Sequence, residues 1–163
     1  MNLRDLNEML ESKRQEITAW MRTKRSEVAI PIYGSVDVRD AGWKICVVDA
    51  NHFPAGFNNV SKENMVELSL LFKEHVKRSH PACRWVHIYP ESHTRNQGYA
   101  ENISSIKTMI QEAGFVCTVG SPDLNGLHAM NGISGPLVLQ EVELNDDDEL
   151  TVDGKVPDLS LIH

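Results

Sequence analysis

A chain of 163 residues can bury one core of ordinary size, which points to a single domain or a piece of a larger one rather than a two-domain enzyme. Its 23 acids and 16 bases give a formal net charge of -7, but the excess is local: residues 141–158 hold eight acids and one base, leaving fifteen of each elsewhere. A body without a basic face argues against polynucleotide binding, and no apolar run approaches the length of a membrane span.

Leu3, Leu6, Leu10, Ile17, Trp20 and Met21 recur at helical spacing among Glu, Lys and Arg. Residues 3–27 therefore read as one amphipathic helix whose stripe is a packing face, ended by Pro31. Arg22, Lys24 and Arg25, the only basic density, suit its C-terminal dipole. The segment lacks the apolar core of a signal peptide.

Ser35-Val36-Asp37-Val38-Arg39 reads as a strand whose period of two sets Val36 and Val38 toward a core and Ser35, Asp37 and Arg39 on the opposite face. After a turn at Ala41-Gly42, residues 43–49 are apolar enough for a mostly buried strand. It ends on Asp49 and runs into Asn51-His52-Phe53-Pro54-Ala55-Gly56-Phe57-Asn58-Asn59. A loop so dense in amides, its path set by Pro and Gly, suits a polar ligand at a strand end. The plainer account has Asp37 and Arg39 pairing across a sheet edge and the Asn residues satisfying turn backbone. The whole cluster favours a site, because a turn needs only one or two Asn or Gly at fixed positions.

Ser61 is a good N-cap for a helix over 62–79, with Met65, Leu68, Leu71, Phe72 and Val76 as its stripe and Pro81 as its stop. Residues 84–89 read as a strand. Asn96 caps a third helix over 98–113, closed by Gly114, and 115–119 forms the next strand. Strands alternating with helices of this length imply parallel crossovers, hence an α/β fold: a Rossmann-like, mostly parallel sheet flanked by helices. In such sheets ligands sit beyond the carboxyl ends of the strands. The loops at 50–59 and 90–98 both leave from such ends.

Residues 121–136 read as a long loop or an irregular hairpin. A strand over 137–144, a turn at 145–148 and a return at 149–152 make the C-terminal part hairpin-like. The acidic turn lacks calcium-loop spacing and reads as solvated. Residues 156–163 open a further alternating strand, and the expectation is of a truncated domain. Cys46, Cys83 and Cys117 form no CxxC pair, which argues against a disulfide framework or a zinc knuckle. Cys46 and Cys117 fall within strands and read as buried free thiols, suiting a reducing cytoplasm.

Two stretches carry a resemblance: SVDVRDAGWKICVVDANHFPAGFNN at 35–59 and PESHTRNQGYAENI at 90–103. Together they resemble the amino-terminal part of the proteobacterial glutamate–cysteine ligase family, and the likeness runs through most of the chain. The resemblance implies an ATP-grasp-like, cytoplasmic ligase of glutathione biosynthesis that makes gamma-glutamylcysteine from L-glutamate, L-cysteine and ATP. It further implies a sheet of pre-ATP-grasp type. Residues 1–163 would then be an amino-terminal substrate-binding α/β domain, cut before an ATP-binding domain and inactive alone.

A carboxylate is a poor electrophile, so the reaction implied calls for an acyl phosphate attacked by the cysteine amine, with Mg²⁺ neutralising phosphate charge. Neither GxxxxGK nor GxGxxG occurs, so most of the site for ATP and Mg²⁺ is expected outside this chain, and no metal site within it. An amino-acid substrate needs a guanidinium for its carboxylate and a carboxylate for its amine. Arg39 and Arg95 are candidates for the first role, and Asp37, Asp49 and Glu91 for the second. Asn51, Asn58 and Asn59 would orient neutral edges, with a hydroxyl from Ser35 or Thr94. These groups are expected to form one cavity for a zwitterion.

Alternatives stand beside this reading. Arg95 pairs with Glu91 four residues away in one of them, and His52 and His93 serve either proton transfer or the surface. A different class of protein is a stand-alone amino-acid or nucleotide-binding module without catalysis. A third reading gathers His87, Glu91 and His93 around a hydrolytic metal, although His87 is expected to point into the sheet.

Overall fold

The computed structural model describes residues 3–28, 31–52, 55–93 and 95–162. The chain divides into two compact units, Met1–Pro54 and Ala55–His163.

In the first unit the expected single helix is two, α1 (Leu3–Ser12) and α2 (Arg14–Glu27), which meet at Lys13. Lys13 leaves helical geometry, with φ -107° and ψ 10°, although its amide still reaches the Met9 carbonyl at 3.1 Å. The apolar stripe is not covered: Met9, Leu10, Ile17, Trp20 and Met21 are all exposed. Strands β1 (Ser35–Asp40) and β2 (Ile45–Asn51) form an antiparallel hairpin. Its turn is closed by the Ala41 amide on the Lys44 carbonyl and the Gly42 amide on Asp40 Oδ1, with Gly42 at φ 80°.

The expectation that one face of β1 is core, and that residues 43–49 are mostly buried, is not met. Val36 and Val38 are 56% and 53% exposed, Trp43 is 70% exposed, and every residue of β2 is exposed. Alternation records which residues share a face. Burial needs a second layer, which a two-stranded ribbon does not supply for itself. Cys46, read as a buried thiol, is exposed for the same reason, whereas Cys83 and Cys117 are buried.

The second unit carries the core. Ser61 caps α3 (Lys62–Ser79) by accepting the Asn64 amide, as its position before a charged first turn predicts. Strand β3 (Trp85–Tyr89) is central, α4 (Gln97–Glu112) crosses over, and β4 (Val116–Val119) pairs parallel to β3. On its other side β3 pairs in parallel with β9 (Leu159–Ile162), giving the order β4-β3-β9. Asp158 fixes this last pairing, because its carboxylate accepts the Arg84 and Trp85 amides at 2.8 and 2.9 Å. Helix α4 packs against β4 and α3 against α4. The core joins Val86, Ile88 and Val119 of the sheet to Ile103, Ile106 and Ile110 of α4, all fully buried, and Phe72 meets Phe115 edge to face.

The parallel sheet is thus smaller than alternation suggested: three strands, with the remaining pairs antiparallel ribbons among the described residues. Residues 121–136 take the hairpin alternative, with β5 (Ala129–Asn131) pairing β6 (Pro136–Val138) after a 3-10 turn at Pro122–Leu124. The strand expected over 137–144 is broken. Between β6 and β7 (Val142–Leu144), Gln140 turns aside to bond Val119 twice, its amide on the Val119 carbonyl and its side-chain oxygen on the Val119 amide. Gly120 makes the approach possible, since a Cβ there would collide with the Gln140 carbonyl. β8 (Leu150–Val152) pairs back on β7 as expected. The acidic turn between them is organised by Asn145, whose side-chain oxygen accepts the Asp147 and Glu149 amides.

Candidate functional site

The candidate residues fall on both units. Ser35, Asp37, Arg39, Asp49 and Asn51 belong to the hairpin, Asn58, Asn59, Glu91 and Arg95 belong to the second unit, and Thr94 lies outside the described residues.

On the hairpin, the register sets Ser35 opposite Asn51 and Asp37 opposite Asp49, so these four side chains share one face. A β-bulge follows, where Val38 meets Val47 and Val48 is left over. Two carboxylates directly opposite repel one another in a ribbon, and a cation between them relieves the repulsion. Asp49 is further ordered by the Ala50 amide at 2.9 Å and lies 3.5 Å from Asn51 Nδ2. The cross-edge ion pair between Asp37 and Arg39 is not formed among the described residues, and both side chains are exposed.

In the second unit the polar loop after β3 leads into α4, as the strand-end argument requires. Asn96 caps α4 by accepting the Tyr99 amide at 3.1 Å. Tyr99 holds the loop from the helix side: its hydroxyl oxygen accepts the Glu91 amide at 2.7 Å, and its ring meets His93 edge to face with centroids 5.5 Å apart. Burial pushes the Tyr99 hydroxyl up to about 12, so it stays protonated in this role. Glu91 pairs with His93, Nε2 to Oε2 at 2.7 Å, rather than with Arg95. Arg95 has no ion-pair partner among the described residues. Beside it is an open depression of about 430 Å³ lined by Ser92, His93, Arg95 and Asn96.

Asn58 and Asn59 lie on a 3-10 turn, Phe57–Asn59, that packs against α4. Gly56, at φ 98°, lets the chain enter it. The Phe57 amide donates to Asn102 Oδ1 at 2.9 Å across 45 residues of sequence. A third loop is tied to the same helix end: Glu101 accepts the Ser134 amide and hydroxyl at 2.9 and 2.6 Å. These bonds hold its carboxyl below the usual carboxylate range, the Ser134 hydroxyl contributing most. Tyr99, Glu101 and Asn102 therefore gather three loops around the first turns of α4.

Sequence reasoning missed all three, having read α4 as a packing helix. The signal was present for Asn102. Positions 99, 102, 106, 109 and 113 make one helical stripe, and a polar side chain in that apolar register is out of place unless it serves a bond.

The hydrolytic metal reading does not survive. His87 is fully buried and spends both ring nitrogens inside the sheet, Nδ1 at 2.8 Å from Thr118 Oγ1 and Nε2 at 2.9 Å from the Gly120 carbonyl. Among the described residues no three His, Cys, Asp or Glu side chains gather closely enough to hold a metal ion. No step through a bound Mg²⁺ is assigned to these residues. Nor is any described helix long and apolar enough to cross a membrane.

A polar loop beyond the carboxyl end of β3, with two further loops tied to the first turns of α4, defines a protein of the α/β class suited to a polar ligand. A family model described as glutamate-cysteine ligase (GshA) matches residues 7–163, and the chain belongs to that family. The crystal structure of a protein assigned as a gamma-glutamylcysteine synthetase, from Methylobacillus flagellatus KT, is similar to this chain with a TM-score of 0.86 and 28% identity. The match covers 99% of this chain but only 38% of that one. A search of curated proteins gave no match.

Proposed function

We propose that this chain is the substrate-gripping part of an ATP-dependent glutamate–cysteine ligase, with ATP and Mg²⁺ handled mainly by the remainder of such an enzyme. The observation that carries the reading is Arg95. In a member of this family, a guanidinium without a carboxylate partner among the described residues stands beside an open depression at the amino-terminal end of α4. A substrate carboxylate fits both the forked donors of Arg95 and the positive end of the helix dipole. Asn58 and Asn59 supply neutral hydrogen-bonding groups on the turn that α4 holds. Asp37, Asp49 and Arg39 lie on the hairpin of the other unit and are given no part in this site.

The work of these residues is binding and orientation. Bringing the glutamate side-chain carboxylate to a phosphoryl donor in fixed geometry removes an entropic part of the barrier. The bond-making itself is assigned to the ATP-binding remainder, and a cytoplasmic setting follows from those substrates.

Calorimetry of the 163-residue chain with L-glutamate tests the reading. Binding heat is expected, and Arg95→Ala is expected to weaken binding about tenfold or more, as loss of a charge-assisted hydrogen bond does. An absence of heat with the unmodified chain would overturn the substrate assignment. With ATP, Mg²⁺, glutamate and cysteine together, no gamma-glutamylcysteine is expected. Detecting that product would show that catalysis resides within these 163 residues.

A further inference from the structure

We infer that Asn102 is a positioning residue of the amino-acid site. Its side-chain oxygen receives the Phe57 amide and so holds the turn bearing Asn58 and Asn59 on the same helix whose amino-terminal end presents Arg95. The inference rests on the substrate-binding reading given above.

Three observations carry it. Asn102 is 1% exposed and lies on the stripe that elsewhere supplies Ile106, Met109 and Ala113 to the core, where an apolar side chain would pack without penalty. Its Oδ1 makes the 2.9 Å bond to Phe57, while its Nδ2 is buried with no hydrogen-bond partner among the described residues. Exchanging the two atoms would oppose a donor to the Phe57 amide, so the side-chain orientation is fixed by that bond. An asparagine that leaves a buried donor unsatisfied in order to keep one acceptor in place marks the acceptor as the useful atom. Within the turn the Asn59 amide donates to the Gly56 carbonyl and the Val60 amide to the Phe57 carbonyl, both short-range bonds. They shape the turn without setting its position on α4.

Two variants and two readouts test the inference in the full chain. Asn102→Leu keeps the bulk and removes the acceptor. Asn102→Asp keeps an oxygen in the same place, and burial favours its neutral form. With L-glutamate in the calorimeter, Asn102→Leu is expected to bind about tenfold more weakly than the unmodified chain and Asn102→Asp within about threefold of it. Amide hydrogen exchange at Phe57 is expected to accelerate in Asn102→Leu and to stay slow in Asn102→Asp. Unchanged glutamate affinity in Asn102→Leu would overturn the inference, as would equal loss in both variants.

If the unmodified chain gives no glutamate heat, the substrate reading fails and the exchange experiment decides the positioning role separately. Rapid Phe57 exchange only in Asn102→Leu supports it, and equal exchange in all three proteins overturns it. A Leu variant that does not fold leaves the decision to Asn102→Asp: retained affinity and Phe57 protection support the role, and loss of either overturns it.

Discussion

His87 and two surface carboxylates bind protons differently in the folded and unfolded chain, and the direction of each difference fixes a pH dependence. Burial lowers the pKa of His87 from 6.5, with the Gly120 carbonyl opposing. The folded protein holds the ring neutral while the unfolded chain takes up a proton, so stability is expected to fall as the pH drops below about 6.5. Glu101 and Asp158 are held below their ordinary values, Glu101 chiefly by the Ser134 hydroxyl and Asp158 chiefly by the Arg84 amide. Their contribution is complete above the unfolded carboxylate pKa and is lost as the pH falls through the lowered, folded values. Urea midpoints measured from pH 8 to pH 3 are therefore expected to decline in two stages. His87→Gln should remove the first stage and leave the second, whereas Asp158→Asn should shrink the second and leave the part carried by Glu101.

At this scale the sequence was partly readable. Asn96 and Ser61 were legible as caps, because a cap is decided by the neighbouring residues. Asn102 and Glu101 were not, because their partners Phe57 and Ser134 lie 45 and 33 residues away.

Among the elements, α4 does more than complete a crossover. Its buried face closes the core, and its first two turns collect the loops at 56–59, 91–96 and 132–135. Glu101 enforces the last of these at close quarters, since a Cβ at Gly132 would stand 2.9 Å from Glu101 Oε2. Glu101→Ala is expected to speed amide exchange at Ser134 while leaving that at Val86 and Ile88 unchanged, as NMR exchange measurements would show.

The carboxyl end of β4 depends equally on a missing side chain. Gly120→Ala forces a methyl against the Gln140 carbonyl and Val142, and a loss of about 1–3 kcal/mol in a denaturant titration is expected. The periodicities of α3, β3, α4 and β4 were legible because each buries a regular stripe. The broken strand at 139–141 was not, because Gln140 leaves its own ribbon to serve β4.

Across the whole molecule, apolar burial and net charge are unevenly shared. Among the described residues the buried ones all lie within Ala55–His163, and so does the acidic excess. The hairpin of Met1–Pro54 is exposed along both strands. A two-stranded ribbon without a covering layer opens readily, so amides of β1 and β2 are expected to exchange orders of magnitude faster than those of β3. Comparable protection in both would show that the ribbon is held by contacts beyond its own pairing.

Local patterning by itself determined the α/β class, the parallel pairing of β3 with β4, the Ser61 and Asn96 caps and the polar loop beyond β3, whereas the loop after residue 50 leaves an antiparallel hairpin and not the parallel sheet. The two motifs at 35–59 and 90–103 were enough to indicate the ligase family. Tertiary structure alone decided that the β1 and β2 valines lie uncovered, that Glu91 meets His93 instead of Arg95, and that α4 anchors three loops. The physical reason is range. Periodicity and capping are settled within a turn or two of chain, whereas burial and side-chain partnership depend on what distant segments bring alongside.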